Sequence, residues 1–565
     1  MNRIIKIIFL IIITNSCQKK VEIKESKIDL KSQWVDSIYE NMTLKEKVGQ
    51  LFMVATYSNR DSTHINSIKS LIQNHHLGGL CFFQNSAIKQ AELTNQYQEI
   101  AKIPLLISID AEWGLSMRLD STFRYPYNMT LGAVQNNDLI MQIGKQIGKH
   151  CKRLGIHVNF APVVDINTNP KNPIIGVRSY GENKINVADK AVAFTLGMQS
   201  ESVMACAKHF PGHGDSAKDS HKTLPTISFD AQRIDSVELY PFKKVFENGM
   251  ASVMVAHLNV PSLESTDGLP SSLSYTITTK LLKEKLNYNG LIFTDALNMK
   301  GAADYKKPGD VDLAAFKAGN DVLVFTENAP KGISKIIEAY NNNEITEERL
   351  SHSVKKILRS KYEVNLNNYK PIETTNLIQD LNSDEDKYLY NTVIKEAITV
   401  IKNEDAVLPL VETSKKIAYL NFGDGSNKEF LTALYQQIEV TKLENNSLDK
   451  TLKELKEYDL VIIGFHQRNF RKIRQFNNEE LQWIEKISKN NKVVLDVFAS
   501  QYCLANLSLD NIESLVVSYE NTKEAQHASA DIILGITDAK GKLPASINNE
   551  FKVGLGLEIN TQQHN

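Results

Sequence analysis

The chain has 565 residues, of which 42% are hydrophobic and 23% are charged. That length predicts two large domains rather than a single core. The 65 basic and 66 acidic residues leave a formal net charge of −1. The sequence therefore lacks the basic excess that is typical of nucleic-acid-binding proteins, and we expect no nucleic-acid partner.

The N-terminus has the pattern of an export signal. Arg3 and Lys6 accompany the apolar run Ile4–Ile13, after which the sequence becomes polar. A basic start followed by a short apolar segment is typical of secretory signals. The run is too short for a membrane-spanning helix, which needs roughly 20 apolar residues.

Cys17 directly follows a small residue, Ser16, and this pattern resembles a bacterial lipoprotein signal. We expect residues 1–17 to be the signal, with Cys17 as the lipid-bearing first residue of the mature chain, and residues 18–30 to be a polar tether. A lipid on Cys17 anchors a protein to a membrane without a spanning segment. The expected location is the bacterial cell envelope, periplasmic or at the outer membrane. Plain secretion and a short uncleaved anchor are the alternatives.

Short apolar segments, rich in β-forming residues, alternate with helix-like segments between residues 45 and 325. The predicted strands are Gly49–Thr56, Leu77–Phe83, Pro104–Asp110, Val158–Ile166, Val203–Phe210, Ala251–Leu258, Gly290–Leu297 and Asp321–Phe325. Predicted helices between them include Ser86–Ala101, Asp138–Leu154, Val187–Glu201 and Ala231–Asn248. This alternation predicts a parallel sheet covered on both faces, and eight such units predict a (β/α)8 TIM-like barrel. We assign the barrel to residues 31–364.

A second α/β domain is predicted at residues 385–565, after a linker at residues 365–384. Its predicted strands are Lys416–Phe422, Leu460–Phe465, Lys492–Phe498, Ser514–Tyr519 and Asp531–Ile536. Predicted helices lie between them at Lys428–Gln437, Asn478–Lys489 and Asn521–Ala530. This pattern predicts an open sheet between two layers of helices, an α/β/α sandwich.

The fifth predicted strand leads into a loop that is rich in titratable side chains. Within 13 residues the chain carries His209, His213, Asp215, Asp219 and His221. Barrel enzymes carry their chemistry on such loops, at the C-terminal ends of the strands. The same side chains are also potential metal ligands, although the sequence has no HExxH motif. Loss of activity with a chelator would favour that alternative.

Other polar residues end predicted barrel strands and are expected to face the same site. They are Asp110, Asp165, His257 and Asp295. Because the C-terminal ends of barrel strands meet at one face, these side chains should lie close together. We expect Asp165 and His257 to support the site rather than to bind the substrate.

Several motifs occur in an order that resembles glycoside hydrolase family 3, most of all its bacterial β-N-acetylglucosaminidase branch. In the barrel they are Asp110–Gly114 with Arg118, Asn169–Gly181, Lys208–His221 and Phe293–Met299, and in the second domain they are Lys402–Leu410 and Gly541–Ser546. The Lys208–His221 motif, KHFPGHGDSAKDSH, is highly specific. The resemblance covers nearly the whole mature chain.

The resemblance implies a retaining exo-glycosidase that needs neither a cofactor nor a metal. Its substrates would be carbohydrates with terminal β-N-acetylglucosaminyl residues, in peptidoglycan fragments or chitooligosaccharides. The family's nucleophile falls on Asp295, and the acid/base dyad of the branch falls on Asp219 and His221.

The family's sugar-binding positions fall on Asp110, Arg178, Lys208 and His209. The sequence departs from the family pattern at Trp113, which occupies a glycine position. A large ring beside Asp110 would narrow the sugar pocket or stack on a sugar.

The residue chemistry by itself leaves alternatives open. A carboxylate at the end of a strand, such as Asp295, suits a nucleophile but also the cap of a following helix. A histidine with a pKa of about 6.5, such as His221, suits an acid/base role, but a loop histidine is often only solvated. A neutral imidazole repels an incoming anion less than a carboxylate does, so a phosphorylase is an alternative to a hydrolase. A β-glucosidase-like enzyme and a non-catalytic glycan-binding envelope lipoprotein are further alternatives.

Overall fold

A computed structural model of the chain describes residues 29–220, 222–411, 414–469 and 473–560. The predicted signal, Cys17 and most of the tether lie outside the described residues, as does His221. Within the described ranges, no helix combines the length and the apolar character that crossing a membrane requires.

The first sheet contains eight parallel strands in the order β7-β6-β5-β4-β3-β2-β1-β8. Their bounds are β1 Phe52–Tyr57, β2 Gly79–Phe83, β3 Leu106–Ile109, β4 Val158–Asn159, β5 Met204–Phe210, β6 Ser252–Val255, β7 Leu291–Thr294 and β8 Leu323–Val324. A bridge between Phe293 and Val322 joins the two edge strands and closes the sheet. The TIM-like barrel predicted from the sequence is therefore confirmed.

Each of the eight predicted strands is present, although most are shorter than predicted. Every residue of β3 to β8 is buried, as expected for strands that pack against side chains inside the barrel and helices outside it. Strand β4 ends at Asn159, seven residues before its predicted end. Pro162 follows closely and has no N–H to donate to a neighbouring strand, so the ladder stops before it.

Helices connect the barrel strands and cover the outer face of the barrel. Their bounds are Leu30–Glu40, Leu44–Gly49, Ser62–His75, Ala87–Ile100, Asn128–Ala133, Asn137–Arg153, Lys184–Ser200, Ala231–Arg233, Leu239–Glu247, Lys300–Ala303, Asp310–Ala318, Ala329–Asn341 and Glu347–Glu363. Two π-helical segments, Ile234–Glu238 and Thr276–Lys285, interrupt the α-helical pattern.

The second sheet has six strands in the order β11-β10-β12-β13-β14-β9. Their bounds are β9 Thr399–Asn403, β10 Ile417–Gly423, β11 Val440–Lys442, β12 Leu460–His466, β13 Val493–Phe498 and β14 Ser514–Val517. The accompanying helices are Leu377–Asp380, Asp384–Ala397, Lys428–Tyr435, Leu448–Glu454, Asn478–Ser488 and Lys523–Ile533. β9 is antiparallel to β14, whereas the other pairs are parallel.

One predicted strand of the second domain is wrong. The segment Asp531–Ile536 does not join the sheet, because its first half belongs to the helix Lys523–Ile533 and a turn follows. A short apolar run of this kind cannot be assigned to a buried strand or a buried helix from periodicity alone. The sequence analysis also missed the edge strands β9 and β11.

The two sheets lie within the ranges predicted for the two domains, and the exact domain bounds stay a prediction. Hydrogen bonds join the two domains, and three of them converge on Glu520, which is 1% exposed. Its carboxylate accepts hydrogen bonds from the Tyr127 amide at 2.7 Å and from the Thr130 hydroxyl at 3.1 Å. The Arg124 guanidinium donates to it at 2.8 Å. A carboxylate of the second domain is thus satisfied by groups of the barrel.

Candidate active site

A cavity of about 290 Å³ opens at the C-terminal ends of the barrel strands. Five predicted site residues line it, namely Asp110, Arg178, Lys208, His209 and Asp295. Asp110 and Asp295 directly follow β3 and β7, Lys208 and His209 lie near the end of β5, and Arg178 lies on the loop after β4. Because the C-terminal ends of barrel strands meet at one face, residues up to 185 positions apart in sequence come together there. A volume just below the range of drug-sized pockets suits a ligand of one sugar unit.

Asp110 is held by two cations. The Lys208 ammonium donates to its Oδ1 at 2.8 Å, and the Arg118 guanidinium donates to its Oδ2 at 2.6 Å. Burial disfavours the charged carboxylate, but Lys208 and Arg118 outweigh burial and hold the pKa of Asp110 well below its usual range. Asp110 is therefore an anionic hydrogen-bond acceptor at neutral pH.

Glu112 lies buried beneath the cavity and pairs with two of its cations. The sequence analysis did not predict this role. Its side chain is fully buried and accepts hydrogen bonds from Arg178, from Nη2 at 2.7 Å and from Nε at 3.0 Å. Lys208 lies 2.9 Å from the same carboxylate. Burial opposes its charge, yet Arg178 and Lys208 lower the pKa of Glu112 to about 2. The available signal was its position two residues after Asp110, within the Asp110–Gly114 motif.

Asp165 fixes the chain around His209 and lies behind the cavity wall. It accepts hydrogen bonds from the His209 ring Nδ1 at 2.7 Å and from the His213 amide at 2.7 Å. Burial opposes its charge, and His209 and His213 lower the pKa of Asp165. Because Nδ1 of His209 faces a carboxylate and Nε2 faces the Arg178 guanidinium at 3.4 Å, the network assigns the ring proton to Nδ1.

His213 anchors the loop that carries the predicted acid/base dyad. Its Nδ1 lies 2.6 Å from the Ser216 hydroxyl and its Nε2 lies 3.1 Å from the Ser220 hydroxyl. Burial lowers the pKa of His213 to about 4, so the ring is neutral at pH 7. With both ring nitrogens bonded to serines, His213 positions the loop.

The predicted dyad is only partly described. Ser220 lines the cavity, and Asp219 precedes it on the loop, where its carbonyl accepts hydrogen bonds from the amides of Lys222 and Thr223 at 3.0 and 3.1 Å. His221 lies outside the described residues. The roles of Asp219 and His221 stay predictions.

Asp295 directly follows β7 and lines the cavity. Its Oδ1 accepts a hydrogen bond from the Ala296 amide at 2.7 Å, and its own amide donates to the Val255 carbonyl at 2.8 Å. His257 lies 2.9 Å from the Ala296 carbonyl through Nε2 and 2.7 Å from the Ser272 hydroxyl through Nδ1. His257 therefore fixes the turn that presents Asp295, as expected for a supporting residue.

Trp113 lies away from this cavity. It is 4% exposed and lines a neighbouring cavity instead. The first alternative, that its ring narrows the pocket of Asp110, is therefore wrong, and the second, that it stacks on a sugar, stays a prediction. Among the residues that the structure describes, no group of three or more His, Cys, Asp or Glu side chains is arranged to hold a metal ion.

Two protein-family models match most of the chain. The glycosyl hydrolase family 3 N-terminal domain matches residues 43–360, and the glycosyl hydrolase family 3 C-terminal domain matches residues 398–563. These ranges contain the barrel and the second sheet, respectively.

Similar proteins support the match. Beta-hexosaminidase A of Pseudoalteromonas piscicida is 30% identical over 427 residues, 69% of this chain and 69% of that protein. A protein of Cellulomonas fimi named beta-N-acetylglucosaminidase/beta-glucosidase is 28% identical over 385 residues, 67% of this chain and 68% of that protein. The solved structure of a glycoside hydrolase family 3 beta-N-acetylglucosaminidase from Paenibacillus sp. str. FPU-7 is 28% identical, with a TM-score of 0.74 over 90% of this chain and 99% of that one. The chain belongs to glycosyl hydrolase family 3 and is a glycoside hydrolase.

Proposed function

We propose that the protein is a retaining exo-glycosidase that removes terminal, non-reducing β-N-acetylglucosaminyl residues from peptidoglycan fragments or chitooligosaccharides. The observation that carries this proposal is the placement of Asp295 in the small cavity that Asp110, Lys208 and Arg178 also line. The names of the Pseudoalteromonas piscicida and Paenibacillus proteins support the choice of sugar.

The charged groups of the cavity suit the hydroxyl groups of one sugar ring. Asp110 accepts hydrogen bonds, whereas Lys208 and Arg178 donate them, and charge-assisted hydrogen bonds are stronger than neutral ones. Ion pairs already hold all three side chains in place. The site is therefore organised before the sugar binds, and little free energy is lost in ordering it.

In the first step of the proposed mechanism, an Asp295 carboxylate oxygen attacks the anomeric carbon. A bond forms between that carbon and Asp295, and the bond to the leaving-group oxygen breaks. His221 donates a proton to the leaving oxygen, and Asp219 stabilises the imidazolium and orients its ring.

In the second step, His221 takes a proton from water, and the water oxygen attacks the anomeric carbon. The bond to Asp295 breaks, the carboxylate is restored, and the sugar leaves with its original β configuration. The two displacements on opposite faces of the sugar account for retention.

A β-glucosidase-like activity is the second candidate. The name of the Cellulomonas fimi relative includes both activities. The two substrates differ only in the group on carbon 2 of the sugar, so a direct comparison of matched glycosides separates them.

The test offers aryl β-N-acetylglucosaminide and aryl β-glucoside to the wild type, Asp295→Asn, His221→Ala and Asp304→Asn. Asp304 is an exposed carboxylate nine residues after Asp295 that lines neither of the cavities at the C-terminal face of the barrel, so it is the matched control. We expect Asp295→Asn to lower kcat on the order of 10⁴-fold and His221→Ala to lower it about 10²–10⁴-fold. Asp304→Asn should keep wild-type activity.

Product analysis completes the test. An initial product with β configuration, seen by NMR, supports retention, whereas an α product contradicts the mechanism. If kcat/KM on the aryl β-glucoside equals that on the aryl β-N-acetylglucosaminide, the N-acetyl preference is contradicted. If Asp295→Asn turns over as fast as the wild type, Asp295 is not the nucleophile. Formation of sugar 1-phosphate in phosphate buffer would identify a phosphorylase, and absence of turnover on every glycoside would favour a glycan-binding lipoprotein.

We also propose that a lipid on Cys17 holds the enzyme at the bacterial cell envelope. The support is the sequence pattern of residues 1–17. The full-length protein should partition into the detergent phase of a phase-separation assay, and Cys17→Ala should move it to the aqueous phase. Aqueous partition of the unaltered protein would contradict lipidation.

A further inference from the structure

The side chain of Asn172 joins two loops at the C-terminal face of the barrel. Asn172 lies on the loop after β4, six residues before Arg178, and is 4% exposed. Its Nδ2 donates to the carbonyls of His213 and Gly214, at 2.9 and 3.0 Å. These two residues lie at the start of the loop after β5, which also carries Asp219. One buried side chain therefore connects the loop of the sugar-binding arginine with the loop of the predicted acid/base dyad.

The carbonyl oxygen of the same side chain shapes the loop of Arg178. Oδ1 of Asn172 accepts hydrogen bonds from the amides of Ile174 and Ile175, both at 2.9 Å. The Ile174 carbonyl in turn accepts a hydrogen bond from Nη1 of Arg178 at 3.2 Å. A side-chain amide offers two N–H donors and an oxygen with two lone pairs, so the four contacts of Asn172 use its full capacity. The partners, two carbonyls and two amides, also fix which end of the amide faces which loop.

The second domain holds the loop of Arg178 from its other side. Asn167, which is fully buried, accepts a hydrogen bond from the Gly176 amide through Oδ1 at 3.2 Å. Its Nδ2 donates to the hydroxyl of Tyr502, in the second domain, at 2.9 Å. The loop of Arg178 is thus fixed independently of the loop after β5, and it can serve as the support against which that second loop is placed.

We propose that Asn172 is a positioning residue, which sets the loop of Asp219 at the correct distance from the sugar that Arg178 binds. The proposal rests on the proposed function, since it takes this loop to supply the proton for the leaving group. Asn172 does not line the active-site cavity and therefore acts through its neighbours. Loss of its Nδ2 contacts should impair proton donation more than sugar binding, because proton transfer requires precise placement of the acid.

The test variant is Asn172→Asp. It keeps an oxygen acceptor for the amides of Ile174 and Ile175, but its second oxygen replaces the donor and repels the two carbonyls of the loop after β5. The matched control is Asn183→Asp, because Oδ1 of the exposed Asn183 also accepts hydrogen bonds from two amides, at 2.9 and 3.2 Å. The substrates are phenyl and dinitrophenyl β-N-acetylglucosaminide. Phenoxide is a strong base that needs a proton as it leaves, whereas dinitrophenoxide leaves as a stable anion.

We expect Asn172→Asp to lower kcat/KM about 10–100-fold on the phenyl glycoside and to change it little on the dinitrophenyl glycoside. Asn183→Asp should match the wild type on both substrates. Asn172 also lines the neighbouring cavity, but the two aryl groups are similar in size, so a lost contact with the leaving group would lower both values alike. Equal losses on the two substrates, or no loss on either, overturn the proposal.

His221→Ala separates failure of the positioning role from failure of the proposed function. This variant should show the same dependence on the leaving group. If it does and Asn172→Asp does not, the positioning role alone is wrong. If His221→Ala shows no such dependence, the acid/base assignment is wrong, and the positioning role is then decided by a measurement that needs no turnover.

That measurement is amide hydrogen exchange. Asn172→Asp should exchange faster than the wild type at Gly212–Ser220, while exchange at Ile174–Arg178 stays unchanged. Unchanged exchange at Gly212–Ser220 overturns the positioning role, whatever the enzyme cleaves. Thermal unfolding shows whether the variant is folded. If it is not, Asn172→Ser replaces it, because a serine hydroxyl also accepts hydrogen bonds from nearby amides and carries no charge.

Discussion

The guanidinium of Arg178 makes a two-point ion pair with the carboxylate of Glu112 beneath the active-site cavity, with contacts of 2.7 and 3.0 Å. The fixed geometry of this pair orients Arg178 toward the cavity. Lys208, at 2.9 Å, shares the same carboxylate and also binds Asp110. Glu112 therefore holds two of the predicted sugar-binding cations without lining the cavity itself.

We predict that Glu112→Gln destabilises the protein and lowers activity. The substitution leaves Arg178 and Lys208 buried with one negative charge fewer, and breaking a buried pair in this way costs about 3–5 kcal/mol. Both cations should also lose their positions, so kcat/KM on the aryl glycoside should fall. Denaturant unfolding and steady-state kinetics measure the two effects.

The matched control for this prediction is Glu92→Gln. Glu92 pairs with Lys89 at 3.3 Å on the surface, where both side chains are more than 40% exposed. Such a pair contributes less than about 1 kcal/mol. If Glu112→Gln changes stability and kcat/KM no more than Glu92→Gln does, the ion pairs of Glu112 with Arg178 and Lys208 do not organise the site.

A second prediction concerns the loop after β5. His213→Phe keeps a ring but loses the hydrogen bonds to Ser216 and Ser220. The loop segment that carries Asp219 should therefore become more mobile. We expect kcat to fall about tenfold or more with a smaller change in KM, because Asp110, Arg178 and Lys208 keep their ion pairs although His213 lines the same cavity. Amide hydrogen exchange should increase around Ser216–Ser220.

His352→Phe, at an exposed histidine of the helix Glu347–Glu363, is the control for general effects of the substitution. Because the pKa of His213 is lowered to about 4, its titration should not appear in the pH–rate profile of the wild type between pH 5 and 8. A His213→Phe enzyme with unchanged kcat and unchanged exchange would refute the anchoring role.

The barrel could be predicted from the sequence because its strands are buried on both faces and therefore appear as short apolar runs between helices. The edge strand β9 could not, because the antiparallel partner that defines it lies more than 100 residues away. At Asp531–Ile536 a strand was predicted where a helix ends, because the apolar face of a helix and a buried strand can both appear as a short apolar run.

The site was predicted only where a residue occupies a strand end or a motif. Asp110, Lys208 and Asp295 satisfy that condition, and the fold brings them to one cavity. Glu112 also lies in the Asp110–Gly114 motif, but no role could be assigned to it because its buried partners are not visible in the sequence. Its partner Arg178 lies 66 positions away, so only tertiary packing turns the two into a buried pair.

A third prediction concerns the association of the two domains. Glu520 is buried and satisfied by Arg124, Tyr127 and Thr130 of the barrel. Glu520→Ala leaves these donors without their acceptor, and a loss of about 3–5 kcal/mol is expected.

In calorimetry, Glu520→Ala should have a lower Tm than the wild type, and its two domains should unfold in separate transitions. The control is Glu550→Ala, at an exposed carboxylate of the same domain. A single transition with the Tm of the wild type would show that Glu520 does not couple the domains.

The last prediction concerns Asp496, which is fully buried in β13. The hydroxyl of Ser518 donates to its carboxylate at 2.8 Å, and that of Ser529 donates as well. Burial raises the pKa of Asp496 to about 7 although the two hydroxyls lower it. An unfolded chain has an aspartate pKa of about 3.9. The folded protein therefore binds more protons than the unfolded chain between about pH 4 and pH 7.

The resulting stabilisation is fully present below about pH 4 and is lost as the pH rises through about 7, at up to about 1.4 kcal/mol per pH unit. Asp496→Asn keeps a neutral side chain in the same space at every pH. The variant should therefore have a flatter Tm between pH 4 and 7 and a higher Tm than the wild type at pH 8. Asp510→Asn, at an exposed aspartate of the same domain, should keep the wild-type pH dependence. A lower Tm of Asp496→Asn at pH 8 would mean that the folded protein stabilises the Asp496 carboxylate in its charged form.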